Sequence, residues 1–258
     1  MTGAGMMDCK KALTETNGDF EAAIDLLRKK GQKVAANRSD RDAKEGRVIA
    51  LSTGSRGILV SVNSETDFVA INEDFKKTAD AFAQIALEKA PADKEALLAL
   101  PYEGMTIGEK VTEMVGRIGE KIELSKYEQL SAVSVIAYNH PGNKLACIVG
   151  FNKPVSEEIG KNVAMQVAAM APVALDKDDV DATLLERELE IAKEQIRAEG
   201  KPEDMVEKIA QGKITKFYKE STLLNQEFIK DNKKSIRQYL QDTDKELTVT
   251  GFKRIILG

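Results

Sequence analysis

One pattern, met twice, limits what this chain can fold into: two β-rich runs around a tight turn, followed by an amphipathic helix. The first copy, RVIALSTGSRGILVSVN from Arg47, turns around Thr53-Gly54-Ser55-Arg56-Gly57. It leads into a stretch from Phe75 to Ala90 with Phe75, Ala79, Phe82, Ile85 and Ala86 on one side. The second, SAVSVIAYNHPGNKLACIVGF, turns around His140-Pro141-Gly142-Asn143 and leads into a helix carrying Ile159, Val163, Gln166, Val167 and Met170. Strands joined by short turns pair antiparallel, and a helix laid on such a hairpin covers one face of it.

The correspondence runs further. Copy one continues past Pro91 to a helical pattern (Ile107, Val111, Met114, Val115, Ile118) and an extended run, Lys121 to Leu130. Copy two continues past Pro172 and, much later, reaches a helical pattern (Ile236, Tyr239, Leu240) and an extended run, Leu247 to Leu257. The expected fold class is therefore α+β, with a duplicated antiparallel sheet-plus-helix core. Between the halves of copy two, Leu185, Leu189, Ala192 and Ile196 step at helical spacing, Gly200-Lys201-Pro202 turns the chain, and Met205, Ile209, Ile214 and Phe217 form a return arm. That predicts an inserted antiparallel helical hairpin whose return seam is interrupted at Lys213.

Ahead of the core, Met6, Cys9 and Leu13 mark a short helix, Asn17-Gly18 breaks it, and Asp19 is a candidate N-cap. Phe20, Ala23, Ile24 and Leu27 mark a second helix that Gly31 is expected to stop. Two such helices cannot close a core alone, so an incomplete three-helix module is expected. The charged segment after Gly31 reads as a linker helix or solvated tether. The expected division is a helical module at 1–36, a linker at 37–46, core unit one at 47–130, core unit two at 131–180 with 223–258, and the helical hairpin at 181–222.

The two copies differ at the strand-to-helix junction. The stretch from Ile58 to Gln84 is longer than its counterpart from Leu145 to Gln166, and the excess falls around Asn63 to Ala70, where Thr66-Asp67-Phe68-Val69 stands. A loop that interrupts a repeated scaffold is held in place by it while packing leaves its sequence free, so function concentrates there. Helix capping is the alternative for Thr66 and Asp67, and core packing for Phe68, Met6 and Met7; His140 also fits a solvated turn.

Composition narrows the chemistry. His140 is the only histidine, which removes histidine metal clusters and Ser-His-Asp catalysis. Cys9 and Cys147 form no CxxC pair and read as packing thiols, so no metal is expected. Phosphate-binding glycine motifs are missing, so no cofactor and no nucleotide of its own are expected. The net charge of −4 argues against nucleic acid as a direct partner and for a protein. No apolar run reaches the roughly 20 residues a bilayer requires and no signal peptide is evident, which predicts no membrane partner and a cytoplasmic location.

Five separated stretches share one resemblance: TGAGMMDCKKALTETNGDFEAAIDLLRKKG, SVNSETDFVAINEDF, HPGNKLACIVGF, VAMQVAAMAP and GKPEDMVEKIAQGKITKFYKE. In this order they resemble bacterial elongation factor Ts over essentially the whole chain. The resemblance implies a guanine-nucleotide exchange factor that binds elongation factor Tu and promotes GDP release, without bond-breaking catalysis. By the match, Thr66, Asp67, Phe68 and Val69 form the wedge that enters the GTPase near its magnesium and phosphate site. Met6, Met7 and Asp8 dock a ubiquitin-associated-like (UBA-like) N-terminal module, and His140, Gly142 and Gln166 touch the GTPase's third domain. Family members normally carry one more helix ahead of TGAGMMDC, which implies a weakened N-terminal contact or a start further upstream. They often carry His where Gln166 stands. A non-catalytic, chaperone-like binding module and an enzyme built on Lys and carboxylates are the competing readings.

Overall fold

The computed structural model describes residues 4–258; residues 1–3 of the expected helical module lie outside the described residues. Helices α1 (Met6–Glu15) and α2 (Phe20–Arg38) come first. Asp19 caps α2 by accepting from the Ala22 N–H at 2.9 Å. Strands β1 (Glu45–Thr53) and β2 (Arg56–Ser64) form a hairpin across Gly54-Ser55. Then follow α3 (Asp67–Ala70), α4 (Glu73–Lys89), α5 (Lys94–Leu98), the ribbon of β3 (Pro101–Tyr102) and β4 (Met105–Thr106), α6 (Ile107–Ile118) and β5 (Ile122–Ser131), which returns to β2. The second half comprises the hairpin β6 (Ser134–Asn139) and β7 (Leu145–Phe151), α7 (Glu157–Met170), and the long pair α8 (Ala182–Ala198) and α9 (Glu203–Ser221). It closes with the ribbon of β8 (Glu227–Phe228) and β9 (Asp231–Ser235), α10 (Ile236–Gln241) and β10 (Val249–Ile256), which pairs with β7.

The chain is thus mixed α and β with antiparallel sheets, and the two larger sheets have orders β1-β2-β5 and β10-β7-β6. In each, the second strand of the hairpin is central. Strand side chains alternate between faces. On β2, Ile58, Val60 and Val62 face Phe75, Phe82 and Ala83 of α4, whereas Leu59 joins Val48 and Ala50 on the opposite face. On β7, Cys147, Val149 and Phe151 meet Val163 and Val167 of α7, whereas Ala146 and Ile148 turn the other way. The two inward faces meet in one shared core, so the layers run helices, sheet, sheet, helices. A Cβ at Gly57 would lie 2.6 Å from Val135 Cγ1, which accounts for glycine where the sheets approach closely.

Two features depart from the sequence reading. Gly31 does not stop α2; it is buried in the helix where α2 crosses α6, and a Cβ on the facing Gly116 would lie 2.6 Å from Gly31 Cα. Here glycine permits two helix backbones to touch and terminates neither. In the α8–α9 pair, Val206, Ala210 and Ile214 form the return seam. Lys213 lies on its flank, where its Nζ donates to Gln195 at 3.2 Å and Glu199 at 3.5 Å. Ala192, Ile196, Val206 and Ala210 form an apolar cluster of their own, separate from the sheet cores.

Candidate functional site

The β2–α4 connection spans residues 65–72, against 152–156 for its counterpart between β7 and α7. It folds into the single turn α3, too short to be stable by itself. Val69 is buried among Ile49, Val60 and Phe75 and pins α3 to the core. Phe68 points away with 79% of its surface exposed, and Ile71, three residues on, is 67% exposed. The two share one side of the turn. Asp67 is exposed at its N-terminus, and no hydrogen bond or ion pair engages its carboxylate among the described residues. Asn72 ends the loop by capping α4, accepting from the Asp74 N–H at 2.9 Å.

The core alternative for Phe68 fails on its exposure. Capping by Thr66 fails on partner: Thr66 occupies the N-cap position, but its hydroxyl donates to the Glu120 carboxylate at 2.9 and 3.0 Å, and no helix N–H bonds to it. The Thr66 N–H donates to the same carboxylate at 3.2 Å. Glu65 accepts from the Lys121 N–H at 2.6 Å and from Arg38 Nη1 at 3.3 Å. The Lys121 ammonium closes the cluster by donating to the Ser39 and Arg41 carbonyls at 2.9 and 3.0 Å, just past the end of α2. Sequence reasoning missed Glu65, Glu120 and Ile71. Only Ile71 left a signal, its spacing of three from Phe68.

The remaining expected residues are dispersed. Met6 and Met7 are 85% and 65% exposed on α1, beside Asp8, which pairs with Lys30. His140 and Gly142 are exposed in the β6–β7 turn, and Tyr138 Oη lies 3.1 Å from His140 Nδ1. That turn is docked on β1: the Asn139 side chain bonds both the N–H and the carbonyl of Ala50, and Val48 donates to Asn143 O at 2.8 Å. Gln166 lies fully inside the chain. Its amide donates to Gln226 Oε1 at 3.1 Å and Glu227 O at 3.0 Å and accepts from the Ile229 N–H at 2.9 Å, which holds Ile229, 44% exposed, on the surface.

Titration properties bear on the remaining chemistry. The Asp244 and Glu246 carboxylates raise the Lys153 pKa, favouring its charged form, the opposite of what a lysine base or nucleophile needs. Burial pushes the Cys147 thiol up to about 12. Among the described residues no group of three or more His, Cys, Asp or Glu side chains could hold a metal ion, and no helix is long and apolar enough to cross a membrane.

Residues 65–258 match the model of the family described as Elongation factor TS. The chain is 52% identical to elongation factor Ts of Christiangramia forsetii, covering all of this chain and 94% of that one. It is 54% identical to elongation factor Ts of Cytophaga hutchinsonii, covering all of this chain and 95% of that one. It belongs to the elongation factor Ts family. Members of this family are translation elongation factors of protein biosynthesis, associated with guanine-nucleotide exchange. The match begins at Glu65, so the Thr66–Val69 turn and the Glu120 that holds it lie within the matched region, whereas Met6, Met7 and Asp8 precede it.

Proposed function

We propose that this chain binds elongation factor Tu in the cytoplasm and promotes release of its GDP, with Asp67 and Phe68 inserted beside the GTPase's magnesium and phosphate site. The observation that carries this reading is Phe68: an aromatic ring 79% exposed on a turn whose base is fixed. An exposed aromatic carried on a backbone that is held at its entry is a natural interface anchor, since little backbone freedom is lost on binding. Val69 supports the turn from inside. Met6, Met7 and Asp8 provide a second contact from a UBA-like module. His140 and Gly142 provide a third, and Gln166 contributes through the Ile229 loop that it holds.

The two sheet-plus-helix units share their order of elements, and we infer that they descend from a duplicated unit, 47–130 and 131–180 with 223–258, with 181–222 inserted. Only the first carries the added turn. A lone wedge on a repeated scaffold supports one partner site and not two equivalent ones.

Exchange then follows from linkage. If factor and nucleotide favour different arrangements of one GTPase site, each lowers the other's affinity by the same ratio. The factor therefore weakens GDP binding without consuming the nucleotide, we read the weakening as faster release, and the direction of exchange is set by the nucleotides available. Measuring release of labelled GDP from elongation factor Tu with and without this chain tests the reading. Acceleration that saturates with factor concentration supports it; a stable complex with an unchanged release rate supports a non-catalytic binding module instead.

A further inference from the structure

The last rung of the β2–β5 ladder pairs Ser64 with Ile122, and beyond it the two strands are held by side chains. Glu65, leaving β2, takes the backbone N–H of Lys121. Glu120, entering β5, takes the backbone N–H and the hydroxyl of Thr66. The two carboxylates thus cross, each satisfying a backbone donor that has run out of ladder. Charge-assisted bonds of this kind are shorter and stronger than neutral ones. Thr66 is further fixed through its carbonyl, which accepts from Ser64 Oγ at 2.9 Å. One residue later the chain turns into α3, whose only buried side chain is Val69.

A four-residue turn with one apolar anchor can rock about that anchor unless its entry is held. We infer that Glu120, with Glu65, is a positioning residue for the exposed Asp67–Phe68 pair. Glu120 fixes the entry to α3 through both Thr66 donors. Glu65 ties the same point to Arg38, while Lys121 ties it to the carbonyls after α2, so the N-terminal helices and the turn are held in one frame. This rests on the proposed wedge role of Phe68, but the clamp itself can be tested without a partner.

The first arm is hydrogen exchange on the free chain. In Glu120→Ala, the amides of Ala70 and Ile71, which bond to the Thr66 and Asp67 carbonyls, exchange about tenfold or more faster, whereas the β2–β5 ladder amides keep wild-type protection, as release of a local element requires. Unchanged exchange at Ala70 and Ile71, or equal loss of protection along the whole ladder, overturns the inference. The second arm is GDP release from elongation factor Tu by the wild type, Glu120→Ala, Asp67→Ala/Phe68→Ala and the triple variant. Glu120→Ala lowers the maximal rate by about tenfold, while in the Asp67→Ala/Phe68→Ala background it changes the rate by less than about twofold, since a positioning residue has lost the pair it positions. A tenfold loss in both backgrounds marks Glu120 as a general stability residue and overturns the proposal. Glu120→Gln, which keeps an accepting oxygen for Thr66, restores most of the rate; a loss equal to that of alanine counts against it. If the wild type does not accelerate release, the exchange reading fails, and the hydrogen-exchange arm still decides the clamp.

Discussion

Glycine-to-alanine substitution at two helical positions should give opposite results, for reasons visible only in the packed chain. Gly212 is inside α9 with no heavy atom within 4 Å of where a Cβ would lie. Gly212→Ala should therefore raise stability by about 0.5–1 kcal/mol, the entropy that glycine costs a helix. Gly116 gains the same propensity term, but its Cβ would lie 2.6 Å from Gly31 Cα, a backbone atom that no side-chain rotation can move. Overpacking costs about 1–3 kcal/mol, and a backbone clash belongs at the upper end, so Gly116→Ala should be net destabilising by about 1–2 kcal/mol. Guanidinium denaturation followed by circular dichroism separates the two: the midpoint rises for Gly212→Ala and falls for Gly116→Ala, with equal slopes. Equal stabilisation of both would refute the close crossing of α2 on α6.

Gln166→Ala should cost about 1–3 kcal/mol, because the Gln226 amide, the Glu227 carbonyl and the Ile229 N–H lose a buried partner together; a thermal melt reads it. Asp176 gives an acid-side prediction: burial raises its pKa, but hydrogen bonds from Asn225 and Arg237 outweigh burial and leave it below the ordinary carboxylate value. Its contribution is full above the unfolded pKa and is lost as pH falls through the lowered folded pKa, so Asp176→Asn should flatten the loss of stability on acidification. Ile71→Ala should leave the melting temperature unchanged, as its side chain is largely exposed, yet slow GDP release from elongation factor Tu in the same sense as Phe68→Ala.

The sheet hairpins, their helices and the long inserted pair were legible because period and turn chemistry are local. Thr53 to Gly57 carries its own turn signal, and β1 and β2 close across Gly54-Ser55. What escaped was decided at a distance. The role of Gly31 depends on Gly116, and the clamp on Thr66 depends on Glu120, 54 positions away, which as a lone sequence letter reads as a solvated acid. The resemblance implies a partner contact at Gln166, but the structure buries it, because its hydrogen-bond partners arrive from the chain after α9. At the junction, the interruption itself was legible by comparison with the second copy. The exposure of Phe68 was legible there too, from its place in the added loop, whereas the burial of Val69 followed only from how the turn sits on β1 and β2.

Stopped-flow release of fluorescent GDP from elongation factor Tu, comparing the wild-type chain with Phe68→Ala, tests the central claim most directly. An interface anchor is worth about 2 kcal/mol or more, so the variant should slow catalysed release about 30-fold at sub-saturating factor. Its own melting temperature should hold, because truncating an exposed ring avoids the roughly 3–5 kcal/mol that a core phenylalanine such as Phe75 would cost. Wild-type release rates for Phe68→Ala, with or without a drop in its melting temperature, would contradict the account.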